Sequence, residues 1–250
     1  MLKNSFLLLF ILIEFCSFSQ QNKLPTYFGI QIRPILPTSA GGQELNGLSI
    51  ENFNVKINQN IGYSFGAVIR KGITKLIAFE SGINFIQRNY SFEMSLSDTN
   101  VIANHDLSHI NYEIPLNALV YIQLSQKHYM NSSLGGAIRF SPTSIKKNVQ
   151  TGGIHSFDSY GIYKSKVAFS INGNVGFEYR TEKKGFYYLG ASISIPLTPI
   201  FDYYAIHSIQ SNTNRTSIRG EMRGRYISID FRYFFPNIKK KGNQPNPELH

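Results

Sequence analysis

The chain of 250 residues has no tryptophan, a single cysteine, and 15 acidic side chains against 25 lysines and arginines. Each scarcity excludes something. Cys16 falls inside an apolar leader, so the mature chain is expected to carry no disulfide and no thiol chemistry. Long apolar runs are missing as well. Beyond the leader nothing approaches the roughly 20 residues that a membrane-spanning helix requires. Nucleotide-binding loops, a dinucleotide glycine fingerprint, Cys-x-x-Cys pairs and a His-Glu-x-x-His zinc motif are all absent, and no cofactor or metal is expected. Gly41-Gly42 and Gly152-Gly153 read as loop glycines. The formal charge of +10 sits largely on turns and tail (Lys71, Lys75, Lys127, Lys183, Lys184, Lys239-Lys240-Lys241). Without a basic groove interleaved with aromatics, it argues against a nucleic-acid partner. It fits a solvated rim facing anionic lipid or a partner protein.

The leader itself reads as a secretion signal over residues 1–19. Lys3 is the positive end, Phe6 to Ile13 the short apolar core, and Ser17 and Ser19 the small residues before a cut at Gln20. Ile13-Glu14-Phe15 lacks the small residue expected before a lipidated cysteine.

What the sequence does contain is strict alternation. In residues 167–180, Val167, Phe169, Ile171, Val175, Phe177 and Tyr179 share one face, while Ser170, Asn172, Asn174, Gly176 and Glu178 share the other. Successive strand side chains point to opposite faces, so this is a strand with one apolar and one polar side. Eight such stretches are present, at 26–36, 60–70, 76–92, 109–122, 129–140, 167–180, 186–197 and 225–235. Their connections alternate in length. Residues 38–59, 93–108, 141–166 and 198–224 are long and polar; 71–75, 123–128 and 181–185 are short. Long outer loops and short periplasmic turns define an all-β, eight-stranded, antiparallel up-and-down transmembrane barrel with both termini in the periplasm. The barrel is expected over 20–235, with a polar, disordered periplasmic tail at 236–250.

Alternation alone leaves open which face is inside. A soluble ligand-binding barrel would turn its apolar face inward. Here the polar faces carry small residues (Gly62, Ser64, Gly66, Gly82, Ser192, Ser194), a few charges and almost no lysine. That composition suits the narrow, side-chain-filled interior of eight strands and not a solvated wall.

The segments Glu80-Ser81-Gly82-Ile83-Asn84-Phe85-Ile86-Gln87-Arg88 and Ile110-Asn111-Tyr112-Glu113-Ile114-Pro115-Leu116 resemble the PorT-like outer-membrane β-barrel family of Bacteroidota. The match in motif is confined to these two strands, of which Tyr-x-Glu-Ile-Pro-Leu is the more specific. The resemblance implies an outer-membrane, cell-envelope barrel without a catalytic site, with some relatives linked to protein secretion.

Candidate sites follow from the faces. Glu80, Glu113, Glu178 and Asp230 are expected inside, opposite Arg70, Arg88, Arg139 and Arg232. Isolated charges in a dry lumen are costly, so these should pair into a plug that locks the barrel. A proton or ion path is the alternative, and eight strands leave no open channel for one. Pro115 within a strand removes a ladder donor and predicts a bulge or bend. Residues 141–166 form the candidate partner-binding loop: Lys146, Lys147 and Lys164 stand beside Phe157, Tyr160 and Tyr163, cations and aromatics suited to anionic sugar, lipopolysaccharide phosphate or an acidic protein. The expected partners are outer-membrane lipid, lipopolysaccharide and an envelope protein. His155-Ser156 and His207-Ser208 raise a lipid hydrolase, which needs serine, histidine and acid together in space, although neighbours in a strand point apart. His105 and His109 have the spacing of helical zinc ligands but lie where no helical pattern exists. The sequence therefore favours a non-enzymatic envelope barrel, structural or interacting.

Overall fold

A computed structural model describes residues 25–37, 48–142, 145–150, 154–163, 165–181, 183–209 and 215–236, with the side chains of 145–150 excepted. The expected signal peptide and nearly all of the expected tail lie outside the described residues.

Eight antiparallel strands close on themselves. In chain order around the ring they are β1 (Thr26–Pro37), β3 (Phe53–Gly72), β4 (Ile77–Leu96), β5 (Ile102–Gln123), β6 (His128–Phe140), β9 (Val167–Arg180), β10 (Phe186–Pro196) and β13 (Tyr226–Phe234). The ladder of β1 with β13 (Ile32 opposite Phe231) and of β1 with β3 (Ile32 opposite Phe65) seals the ring, so no wall strand is left with a free edge. Each strand is a sequence neighbour of the next in the ring, an up-and-down barrel. The three short turns share one end with the start of β1 and the end of β13. Their backbones close on themselves, as where Thr181 N donates to Gly185 O at 2.9 Å and Gly185 takes a φ of +74°.

The faces fall as the alternation predicts. Ile30, Ile32, Phe65, Phe79, Ile83, Leu116, Leu134, Phe169, Ile193 and Phe231 point outward and are exposed, whereas Ser64, Arg70, Glu80, Asn84, Glu113 and Asp230 point inward and are buried. A soluble barrel has the reverse arrangement. Gly176 and Gly190 oppose one another on the inner face, and a Cβ at either would run into the Tyr188 ring. The two glycines are what lets a tyrosine lie inside so narrow a barrel.

Three strands are much longer than a membrane crossing needs. β3, β4 and β5 run to 20, 20 and 22 residues, and their far ends leave the ring as a projecting wall joined by β2 (Leu48–Ile50). A second sheet packs on this wall: β7 (Ile145–Gln150), β8 (His155–Ile162), β11 (Phe201–Ile209) and β12 (Arg215–Met222), in the order β12-β11-β8-β7. The described parts of the four long connections are therefore not open loops. Together with the strand extensions they form a β-sandwich head whose core holds Phe53, Phe92, Met94, Phe157, Phe201, Tyr203 and Ile218.

Polarity inverts where barrel becomes head. On β4 the outward residues are apolar at Phe79, Ile83 and Phe85 and polar at Gln87, Asn89, Ser91 and Glu93, while the inward row turns apolar at Tyr90, Phe92 and Met94. β5 behaves likewise, with Asn104, Asp106 and Ser108 outward in the head and Ile114, Leu116 and Val120 outward in the barrel. On β3 the apolar residues keep odd numbers from Phe53 to Phe65, and a bulge between Asn60 and Tyr63 moves that row from the head core (Phe53, Val55, Ile57) to the outer barrel face (Ile61, Tyr63, Phe65). The bulge expected at Pro115 is thus found on β3 instead. β4 and β5 keep one register on both sides of Pro115, from Ser81 opposite Leu116 to Asn84 opposite Glu113. The carbonyl of the proline accepts from Ser81 Oγ at 2.7 Å.

Candidate functional site

The inward charges form two groups. The lower one starts at the mouth where the termini lie. Glu178 accepts from Arg70 and, at 2.7 Å, from Arg180. Arg70 reaches on to Glu80 at 2.7 Å, Glu80 accepts from Arg232 at 2.5 Å, and Arg232 meets Asp230 at 2.7 Å. Asn131 donates to Glu178 at 2.6 Å, and Ser228 to Asp230 at 2.7 Å. Aromatic faces cover the cations: Arg70 lies 4.3 Å from the Phe234 ring centroid, Arg180 4.0 Å from Tyr129, and Arg232 4.7 Å from Tyr188. The upper group centres on Glu113, which takes Arg139 Nε at 3.0 Å and Arg33 at 3.6 Å. Arg139 also donates to Ser194 Oγ.

Of the charges expected in one network, Glu80, Glu178, Asp230 and Arg232 join Arg70 in the lower group, and Glu113 pairs with Arg139 in the upper. Arg88 joins neither. It is fully buried, but its bonds go to Gly224 O at 2.6 Å and Asn111 Oδ1 at 3.0 Å, with no carboxylate of the described residues within ion-pair reach. The expectation that Arg88 is ion-paired is corrected on this point, because its height on β4 places it above Glu113. Sequence reading also passed over Arg33 and Arg180. Both lie in phase with the polar faces of β1 and β9, and that phase was the available signal.

Between the groups the lumen is filled. Gln31, Asn84, Asn117, Asn172 and Asn174 surround a cavity of about 20 Å³, room for about one water. Such an interior ties opposite walls together.

The candidate loop residues part company. Phe157 is buried in the head core, tilted against Phe53 at 6.1 Å, and Tyr163 is half-buried with its hydroxyl 2.8 Å from His109 Nδ1. Their expected role in an exposed recognition loop is corrected, since they are what the second sheet packs with. Tyr160 faces outward beside Tyr204, at 6.2 Å between ring centroids. Lys146 and Lys147 lie on β7 with side chains outside the described residues, and Lys164 itself lies outside them.

The histidines sit in the head. His105 and His109 belong to β5, not to a polar loop. His105 Nε2 is 2.7 Å from Ser159 Oγ, a pair enclosed in the head interior. His155 Nδ1 and His207 Nε2 are 3.0 Å apart. Burial and the neighbouring His155 hold the His207 pKa below the ordinary histidine value. Burial pushes the Tyr203 hydroxyl up to about 12. His155 and His207 turn toward the core while Ser156 and Ser208 oppose one another on the other face, so neither adjacent Ser-His pair assembles. Among the described residues no group of three or more His, Cys, Asp or Glu is placed to hold a metal.

Architecture and site together define an eight-stranded barrel that is apolar outside, charged and filled inside, and crowned by a β-sandwich. No family model matches the chain, and no curated protein matches it. Among solved structures it is similar to the outer membrane protein OprG from Pseudomonas aeruginosa, at 11% identity and a TM-score of 0.48, covering 86% of this chain and 98% of that one.

Proposed function

We propose that the chain is a non-enzymatic outer-membrane barrel that holds a β-sandwich head outside the cell. The change of face along β4 and β5 carries this reading. An outward row that is apolar from Ile110 to Ile122 and polar from Asn104 to Ser108 belongs to one strand leaving hydrocarbon for water. Turns and termini then face the periplasm. The exposed surface offered to an envelope protein or to lipopolysaccharide is the outer face of the second sheet, where Tyr160, Tyr204 and Arg219 are directly opposed in register and Arg219 pairs with Asp202 at 2.7 Å. The finer reading, a role in protein secretion, is supported by the likeness of 80–88 and 110–116 to PorT-like barrels. The hydrolase reading gains nothing from the Ser159–His105 pair, which the head core shields from substrate.

Single-cysteine labelling in intact cells tests the topology, because Cys16 is expected to leave with the signal. A membrane-impermeant maleimide should label Ser217→Cys in the head and spare Lys183→Cys at the opposite end until the outer membrane is opened. Labelling of both in intact cells, or of Lys183→Cys alone, contradicts the reading.

A further inference from the structure

Where barrel meets head, buried hydrogen-bond donors converge without protein acceptors. Arg88 Nε, the Tyr90 and Tyr226 hydroxyls, His109 Nε2, Asn111 Nδ2 and Arg139 Nη1 are all shielded and unpartnered. Their side chains are neighbours. Arg88 and His109 are direct partners across β4 and β5, and Arg88 is bonded to Asn111. Tyr90 is the next inward residue of β4 after Arg88. The Arg88 and Arg139 guanidiniums lie 5.7 and 5.6 Å from the centroid of the same Tyr226 ring. His109 can join as a donor: with the Tyr163 hydroxyl giving its proton to Nδ1, the imidazole proton stands on Nε2.

Charge points the same way. The lower network balances, with Arg70, Arg180 and Arg232 against Glu80, Glu178 and Asp230. The upper one does not. Arg33 and Arg139 share Glu113 as their ion-pair partner, and Arg88 above them has none among the described residues. A buried guanidinium without a counter-charge, ringed by N–H and O–H groups that lack acceptors, is an environment that an anion completes.

The geometry points to a small monatomic anion, chloride, held at this neck as a structural counter-ion to Arg88. A halide accepts from N–H and O–H donors in any direction, which suits a mixed set of arginine, tyrosine, histidine and asparagine. Its place at the junction makes it a pin between the barrel and the head.

The test uses the full chain refolded in detergent, with thermal melting followed in sodium gluconate, chloride, bromide and sulfate at equal ionic strength. Chloride and bromide should raise Tm over gluconate along a saturable curve, since an ion bound only by the folded state stabilises by mass action. Asn111→Asp places a carboxylate beside Arg88 and should remove the halide dependence while leaving the chain as stable in gluconate as the original is in chloride. Arg88→Met should also lose the dependence; if it fails to fold, Asn111→Asp alone decides. Crystals grown in bromide should show an anomalous peak beside the Arg88 guanidinium. Equal melting in all four salts, a full halide response in Asn111→Asp, or water alone at the neck overturns the proposal. Stabilisation by sulfate and not by halide overturns it too, in favour of an oxyanion.

Discussion

Leu116 and Asn104 stand on the same strand, on the same outward face, 12 residues apart, yet the fold places them in opposite surroundings. Leu116 is 63% exposed, in the middle of the apolar stretch of β5, whereas Asn104 is exposed on the head. Leu116→Arg removes no core packing, because the side chain points away from the lumen. Its cost is that of putting a guanidinium into hydrocarbon, about 2–4 kcal/mol near the midplane of a barrel's lipid face. At ~1.4 kcal/mol per decade that is a loss of roughly 30- to 1000-fold in the folding constant. Asn104→Arg exchanges one solvated polar group for another and should fall within about 0.5 kcal/mol of the original chain. Both are read by guanidinium titration of protein refolded into phospholipid vesicles, from the shift of midpoint at constant slope. In detergent micelles, whose apolar layer deforms, the gap should shrink. Equal losses at the two positions, or a larger one at Asn104, would refute the assignment of faces and the membrane boundary drawn near Ile110.

Glu80→Ala takes from Arg70 and Arg232 the carboxylate they share, leaves two buried arginines with Glu178 and Asp230 only, and, with one buried positive charge in excess, should cost about 3–5 kcal/mol by the same titration. Adding Arg232→Met should cost less than the two single changes summed, and simple additivity would mean that the two charges do not interact. Planar-bilayer recording should show no steady conductance, because side chains fill the lumen; a lasting pore of porin size would contradict the plug. Gly176→Ala, pressed against the Tyr188 ring, should destabilise by about 1–3 kcal/mol, and the penalty should fall in a Tyr188→Leu background. The lowered pKa of His207 makes the head sensitive to acid. The folded state holds this imidazole neutral, so its contribution is complete above about 6.5, the unfolded value, and disappears as pH falls through the lower folded value. Protection of the 201–209 amides, taken relative to the intrinsic exchange rate at each pH, should therefore fall between pH 7.5 and 5 and stay flat in His207→Phe, while protection in the barrel strands holds constant.

Much of this architecture can be read locally. A two-residue period, small residues on the polar face and long connections alternating with short ones are properties of each strand and each link. They suffice for eight strands, their inner faces and the end at which the termini lie. Even the inversion of polarity is written in β4, where the apolar residues pass from Phe79, Ile83 and Phe85 to Tyr90, Phe92 and Met94. Parity along one strand says nothing about height relative to another strand, and height decides ion pairing. The stagger of the closed ring brings Arg70 to Glu178, 108 residues away, and leaves Arg88 above the reach of Glu113. The head was illegible for a related reason. Its strands of six to nine residues bury an apolar face only when 155–162, 201–209 and 215–222 meet the extended β3–β5 wall. Phe157 and Tyr163, read alone, look like exposed aromatics on a polar loop. The sequence by itself determined that the chain would close an apolar-coated barrel, because alternation is a one-strand property. Only the tertiary structure decided which charges meet, which one is left over, and that the outer connections fold into a domain of their own, because those outcomes depend on distances between segments far apart in the chain.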